Sequence, residues 1–146
     1  MRQTAIVFAL AVSLLACGSS DPKALPADEA AELLENRNWI DHWPQSAEEQ
    51  LWVYRFTPQM GGGVFQDRTL FAGQFELFTY DVGEGQIRIR WPHTNTRETV
   101  KFQIREVEGP RPFDLRLELD GSSRGPRVFF GRSSETHADP LIPHIQ

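Results

Sequence analysis

The chain has 146 residues, 40% of them hydrophobic, 24% charged and 11% aromatic, with one cysteine and a formal net charge of −5. At roughly 150 residues per domain this is one domain, with enough apolar content for a core and too ordinary a charged fraction for a disordered chain. One cysteine excludes an intrachain disulfide framework and a multi-cysteine metal cluster, and the acidic balance argues against nucleic acid as a partner.

At the amino end, Arg2 precedes an apolar run from Ala5 to Ala16 that only Ser13 interrupts. About 12 apolar residues fall short of the ~18 to 20 that span a bilayer, so residues 1–16 read as an export signal rather than a membrane anchor. The run closes on Leu14-Leu15-Ala16-Cys17, followed by Gly18, and this resembles the lipobox of bacterial lipoproteins. The resemblance implies that Cys17 is acylated, with palmitate among the chains, and becomes the first residue of the mature protein. A lipid-anchored envelope protein follows, with the membrane as a partner. Each buried methylene contributes about 0.8 kcal/mol, so several acyl chains hold such a protein firmly. By family analogy, Gly18 in place of an aspartate implies the outer rather than the inner membrane.

Residues 17–26 are small and rich in breakers, as a tether is. Ala27 to Arg37 has acids early, apolar residues at helical spacing and a cation at its end, which predicts one short amphipathic helix. From there the apolar period becomes two. Leu51–Phe56, Gln86–Trp91, Thr99–Arg105 and Phe113–Leu119 alternate cleanly, the last three with one strongly polar face, which predicts a sheet dry on one side. Weaker strands are expected at Asn38–Trp43, Gly63–Thr69, Gly73–Tyr80 and Arg127–Arg132. In the third of these the apolar residues change face between Phe75, Leu77 and Phe78, Tyr80, the pattern of a bulge. Short turn-like separators make sequence neighbours spatial neighbours, so an all-β, eight-stranded antiparallel up-and-down barrel over residues 27–132 is the expected fold. A two-layer β-sandwich is the alternative. Residues 133–146 are expected to form a loose carboxyl tail.

Trp39 after the helix, Tyr54-Arg55-Phe56 before a glycine-rich turn, Gly73–Tyr80, Gln86–Trp91 and the closing Phe129-Phe130-Gly131-Arg132 together resemble the lipocalin-like (calycin) domains of bacterial lipoproteins. That resemblance implies a barrel closed at one end by Trp39 beneath Arg132, although Arg37 stands where the family has a glycine.

Few residues point to chemistry. The histidines His42, His93, His137 and His144 lack metal-ligand spacing, so neither a metal nor a cofactor is expected. Gly61-Gly62-Gly63 precedes a strand rather than a helix, which makes it a turn and not a phosphate cradle. No nucleophile elbow is present, and Asp114 with Glu118 read as strand-surface acids beside Arg116, so the chain reads as non-enzymatic. Two candidate surfaces remain. Trp52, Tyr54, Phe56, Phe75, Trp91, Phe102, Phe113, Leu115, Leu117 and Phe130 are placed inward, where they line a ligand space or fill it, since eight strands enclose room for either. Arg88, Arg90, Lys101, Arg105 and Arg116 fall on the polar face of three successive strands, where they form a cationic stripe or a balanced exterior. The expected functions are binding of a small apolar or amphipathic ligand in the barrel mouth or, alternatively, a protein-interaction module such as an envelope assembly factor or hydrolase inhibitor. An open cavity favours the first, and a solid interior the second.

Overall fold

A computed structural model describes residues 22–135. Within them the chain forms α1 (Ala27–Leu34), β1 (Asn38–Ile40), β2 (Leu51–Thr57), β3 (Gly62–Arg68), β4 (Gly73–Gly83), β5 (Gln86–Trp91), β6 (Thr96–Glu106), β7 (Leu115–Asp120) and β8 (Val128–Gly131). The eight strands make one closed barrel in sequence order, every ladder antiparallel, with Ile40 of β1 paired to Phe130 of β8 at the seam. Closure removes the sandwich alternative, because every connection joins spatial neighbours and none crosses between layers. The expected export signal, Cys17, His137 and His144 lie outside the described residues.

The helix ends three residues sooner than its pattern suggests. Glu35 is extended and Asn36 takes the left-handed φ of 62° that asparagine tolerates, so the chain turns before Arg37. The indole N–H of Trp39 then donates to the Leu34 carbonyl at 2.9 Å, which satisfies a helix end that the sequence leaves uncapped. Trp39 is fully buried at this end of the barrel, where Gly131 lies against its ring so closely that a Cβ there would sit 2.9 Å from it. Arg132 is half-buried, and its carbonyl accepts from Arg37 Nη1 at 2.7 Å.

Strand β4 contains no bulge. Its register runs unbroken from Arg68↔Gly73 to Gly63↔Phe78 against β3, and from Thr79↔Arg90 to Gly83↔Gln86 against β5. Strict alternation therefore sends Phe78 and Tyr80 inward and Phe75 and Leu77 outward. The apolar residues change face while the backbone stays regular, so Phe75 does not line the interior.

Phe113 and Phe130 also lie outside the barrel. They stack at 5.8 Å and, with Trp43, cover Ile40, Leu51 and Val53 on the outer wall. Phe113 precedes the strand because its amide closes a turn onto the Pro110 carbonyl, so β7 starts at Leu115. As a result β2 is buried on both faces, unlike the one-sided β5, whose exposure alternates residue by residue. Residues 133–135 are pinned rather than loose: the buried Glu135 carboxylate accepts from the Asn38 amide at 2.8 Å and lies 3.3 Å from Arg55 Nη1.

Candidate functional site

The interior is solid. Tyr54, Phe56, Phe65, Phe78, Trp91 and Phe129 are all buried, and Tyr54 stands at their centre, its ring 4.8 Å from Phe65 and 5.3 Å from Phe129. Each such pair contributes about 0.5 to 1.5 kcal/mol beyond area burial. Phe102, Leu115 and Leu117 complete the same cluster, while Trp52 is partly buried at its rim. Of the expected lining residues, these pack against one another in the core.

The mouth is closed by the β7–β8 connection, residues 121–127. Arg124 makes two 3.0 Å hydrogen bonds to the Glu76 carboxylate, and its guanidinium lies 4.6 Å over the Trp91 ring. The bond to Glu76 raises the Arg124 pKa above its ordinary value. Trp91 Nε1 donates to Glu98 at 3.0 Å, and the same carboxylate accepts from the Ser123 amide. The Tyr54 hydroxyl meets Ser122 Oγ at 2.9 Å, and burial pushes this phenol well above its usual range. A guanidinium–indole stack of Arg124 on Trp91 therefore lies at the mouth. Beside this plug, between β4 and the Pro92–Thr94 turn, a groove of about 790 Å³ has Trp52 and Phe65 in its lining.

A different surface is bare. Met60, Phe71, Phe75 and Leu77 are 79%, 85%, 69% and 57% exposed, and these are the large hydrophobic side chains exposed among the described residues. All four line one groove of about 1040 Å³ on the outer face of the β3–β4 hairpin. The hairpin is built to hold that face. A Cβ at Gly63 would fall 2.4 Å from the Phe78 ring and 2.6 Å from the Arg55 carbonyl, so the triple glycine lets β3 pack closely after the Gly61 turn. At the other end Arg68 donates to the Thr69 and Leu70 carbonyls, and the Thr69 amide bonds Ala72, which fixes the loop that presents Phe71. Monomeric proteins rarely leave such a contiguous apolar patch without a use for it.

The five expected cations do share one outer face of β5–β7, but acids interleave them. Arg88 pairs with Asp81, Arg105 and Arg116 approach Glu118, and Lys101 sits opposite Asp120. Arg90 differs. It faces Arg97 directly across β5–β6, and neither has an ion-pair partner among the described residues. On its other side Arg90 adjoins Thr79, two residues beyond Leu77 on β4.

The sequence reading placed none of Met60, Phe71, Leu77, Arg97 or Arg124 in a candidate site. An apolar loop, Leu70-Phe71-Ala72, was a legible sign, whereas Arg97 and Arg124 gain their meaning from register and loop placement. Of the histidines described, His93 is exposed beside the mouth, and His42 lies between Asp41 and Glu49 at 2.7 and 3.1 Å. No cluster of three or more His, Cys, Asp or Glu suited to a metal ion occurs among the described residues. No known protein family, curated protein or solved structure matches the chain.

Proposed function

We propose that this chain is a lipid-anchored bacterial envelope protein with a lipocalin-like barrel, acylated at Cys17 and held at the outer membrane, that works as a non-enzymatic protein-interaction module. The observation that carries this reading is the bare apolar face of the β3–β4 hairpin beside a barrel whose interior is already full. A site-specific photo-crosslinker placed at Phe75 in the native host should capture one defined envelope protein. The same probe at Gln103, exposed on β6, should not. Equal capture from both positions, or none from Phe75, would refute the reading. Replacement Cys17→Ser should release the protein from membranes, and persistent attachment would remove the lipid anchor from the proposal.

A second reading rests on the mouth groove. An amphipathic small molecule fits a space with Trp52 and Phe65 on its floor and the Arg124–Glu76 pair at its rim. Native mass spectrometry of protein isolated from its host tests it, since such a ligand should co-purify and a ligand-free spectrum counts against it.

A further inference from the structure

We infer that the free edge of β4, from Gly73 to Leu77, receives an extended peptide as an added antiparallel strand, apolar on alternate residues and acidic where it meets Arg90 and Arg97. The inference rests on the docking role given above to the β3–β4 outer face, and it names what docks there.

The two strands flanking β4 differ in reach. On one side β3 accompanies it from Gly73 to Phe78, while on the other the β5 ladder covers residues 79–83. On the β5 side, the main-chain groups between Gly73 and Leu77 have no strand partner among the described residues. Edges of this kind are ordinarily blunted by lysine, proline, a bulge or short length. This edge reads Gly-Gln-Phe-Glu-Leu and stays regular; its one inward charge, Glu76, is already paired with Arg124, and it presents Phe75 and Leu77 to solvent. It also has room, because the mouth groove separates it from the Pro92–Thr94 turn.

A strand added there continues the ladder that β5 leaves. With a period of two, half of its side chains lie outward beside Phe75 and Leu77, and the other half point into the groove above Trp52 and Phe65. Main-chain hydrogen bonds supply affinity, and the apolar outer face on one side with the mixed groove on the other, where Asp67, Gln74, Glu76 and Arg124 accompany Trp52 and Phe65, supplies selectivity. Charge fixes the end of the peptide that lies next to Arg90. Two arginines opposed across a ladder repel, and acidic side chains from the partner relieve that repulsion. An anionic lipid surface would use the phenylalanines and arginines too, but it has no means of completing a ladder, and the free edge therefore favours a peptide.

The test uses the full-length protein in phosphatidylcholine nanodiscs and a labelled eight-residue peptide that alternates leucine and threonine after two amino-terminal aspartates. Fluorescence anisotropy should show saturable binding, and amide exchange at residues 73–79 should slow when peptide is present. N-methylation of alternate peptide amides, or Arg90→Glu with Arg97→Glu, should each weaken binding at least tenfold, and lysines in place of the two aspartates should restore affinity to the double variant. Undiminished binding of the N-methylated peptide would overturn strand addition while leaving the outer face as the docking surface. Full affinity in Phe75→Ser with Leu77→Ser would instead sink the docking face itself. No peptide binding, or protection of residues 73–79 by phosphatidylglycerol nanodiscs without peptide, would overturn the inference.

Discussion

The outer surface of this barrel has two apolar walls, and they are treated in opposite ways. On β1, β2 and β8, Ile40, Leu51 and Val53 are roofed by Trp43 and Phe113 from two loops, with Phe130 stacked beneath. On β3 and β4, Val64, Phe75 and Leu77 have no roof among the described residues. The residue types are alike, so burial by the chain's own loops is what separates a covered wall from a bare one. Phe113 is 5% exposed and Phe75 is 69% exposed, although both are phenylalanines outside the same barrel.

That contrast is open to direct attack. Phe113→Ala should cost about 3 kcal/mol, the lower end of the range for a buried phenylalanine, whereas Phe75→Ala should change stability by less than about 0.5 kcal/mol. Thermal denaturation of both variants measures the difference, and equal losses would abolish the distinction between the walls. The interior offers a second probe. The chain's two tyrosines, Tyr54 and Tyr80, both have phenol pKa values held above the ordinary range, first by burial; the bond from Tyr80 to Glu35 adds to its shift. Their contribution is therefore complete below roughly pH 10, the unfolded value, and is lost as pH rises toward the folded values. Stability should fall above that pH by up to about 1.4 kcal/mol per unit for Tyr54, and by less for the partly exposed Tyr80, whose interactions solvent screens. Tyrosinate absorbance should then track unfolding, and titration of either phenol near its ordinary value in the folded protein would contradict the sealed interior.

At the mouth, Arg124→Ala should cost about 1 to 2 kcal/mol through loss of one ion pair and one guanidinium–indole stack. Tryptophan fluorescence should shift as Trp91 loses its cover, and an unaltered spectrum would count against the plug. The smallest change in stability is expected on the bare wall. Phe75→Ser with Leu77→Ser should leave the melting temperature within a few degrees while reducing binding of a hydrophobic dye and raising solubility; unchanged dye binding would locate the exposed apolar surface elsewhere.

Much of the architecture was legible because alternation has a period of two and the separators are short. Gln86–Trp91 was read at its true bounds, and closure followed from the need to cover sheet edges. The helix end was not legible, since its stop depends on Trp39 reaching back to Leu34, a contact made by the fold. Alternation placed Phe113 inward in phase with Leu115 and Leu117, and an expected bulge placed Phe75 there, and both lie outside. For Phe75 the parity of β4 decides, and residues 78 and 80 set that parity. For Phe113 a loop turn onto Pro110 carries the ring around to the outer wall. The cationic face and its balancing by Glu118 were legible from alternation, but the places of Asp81 and Asp120 beside it came from strand register.

By itself the sequence determined a run of eight alternating strands and the aromatic supply for their core, because side-chain alternation and turn chemistry are local properties of the chain; closure into a barrel rather than a sandwich was decided by the pairing of β1 with β8. Which apolar residues became core, which became a covered wall and which stayed bare was decided by the tertiary structure. Register between strands, and the paths of the loops at 41–50 and 107–114, set what each side chain touches, and neither is encoded within any one strand.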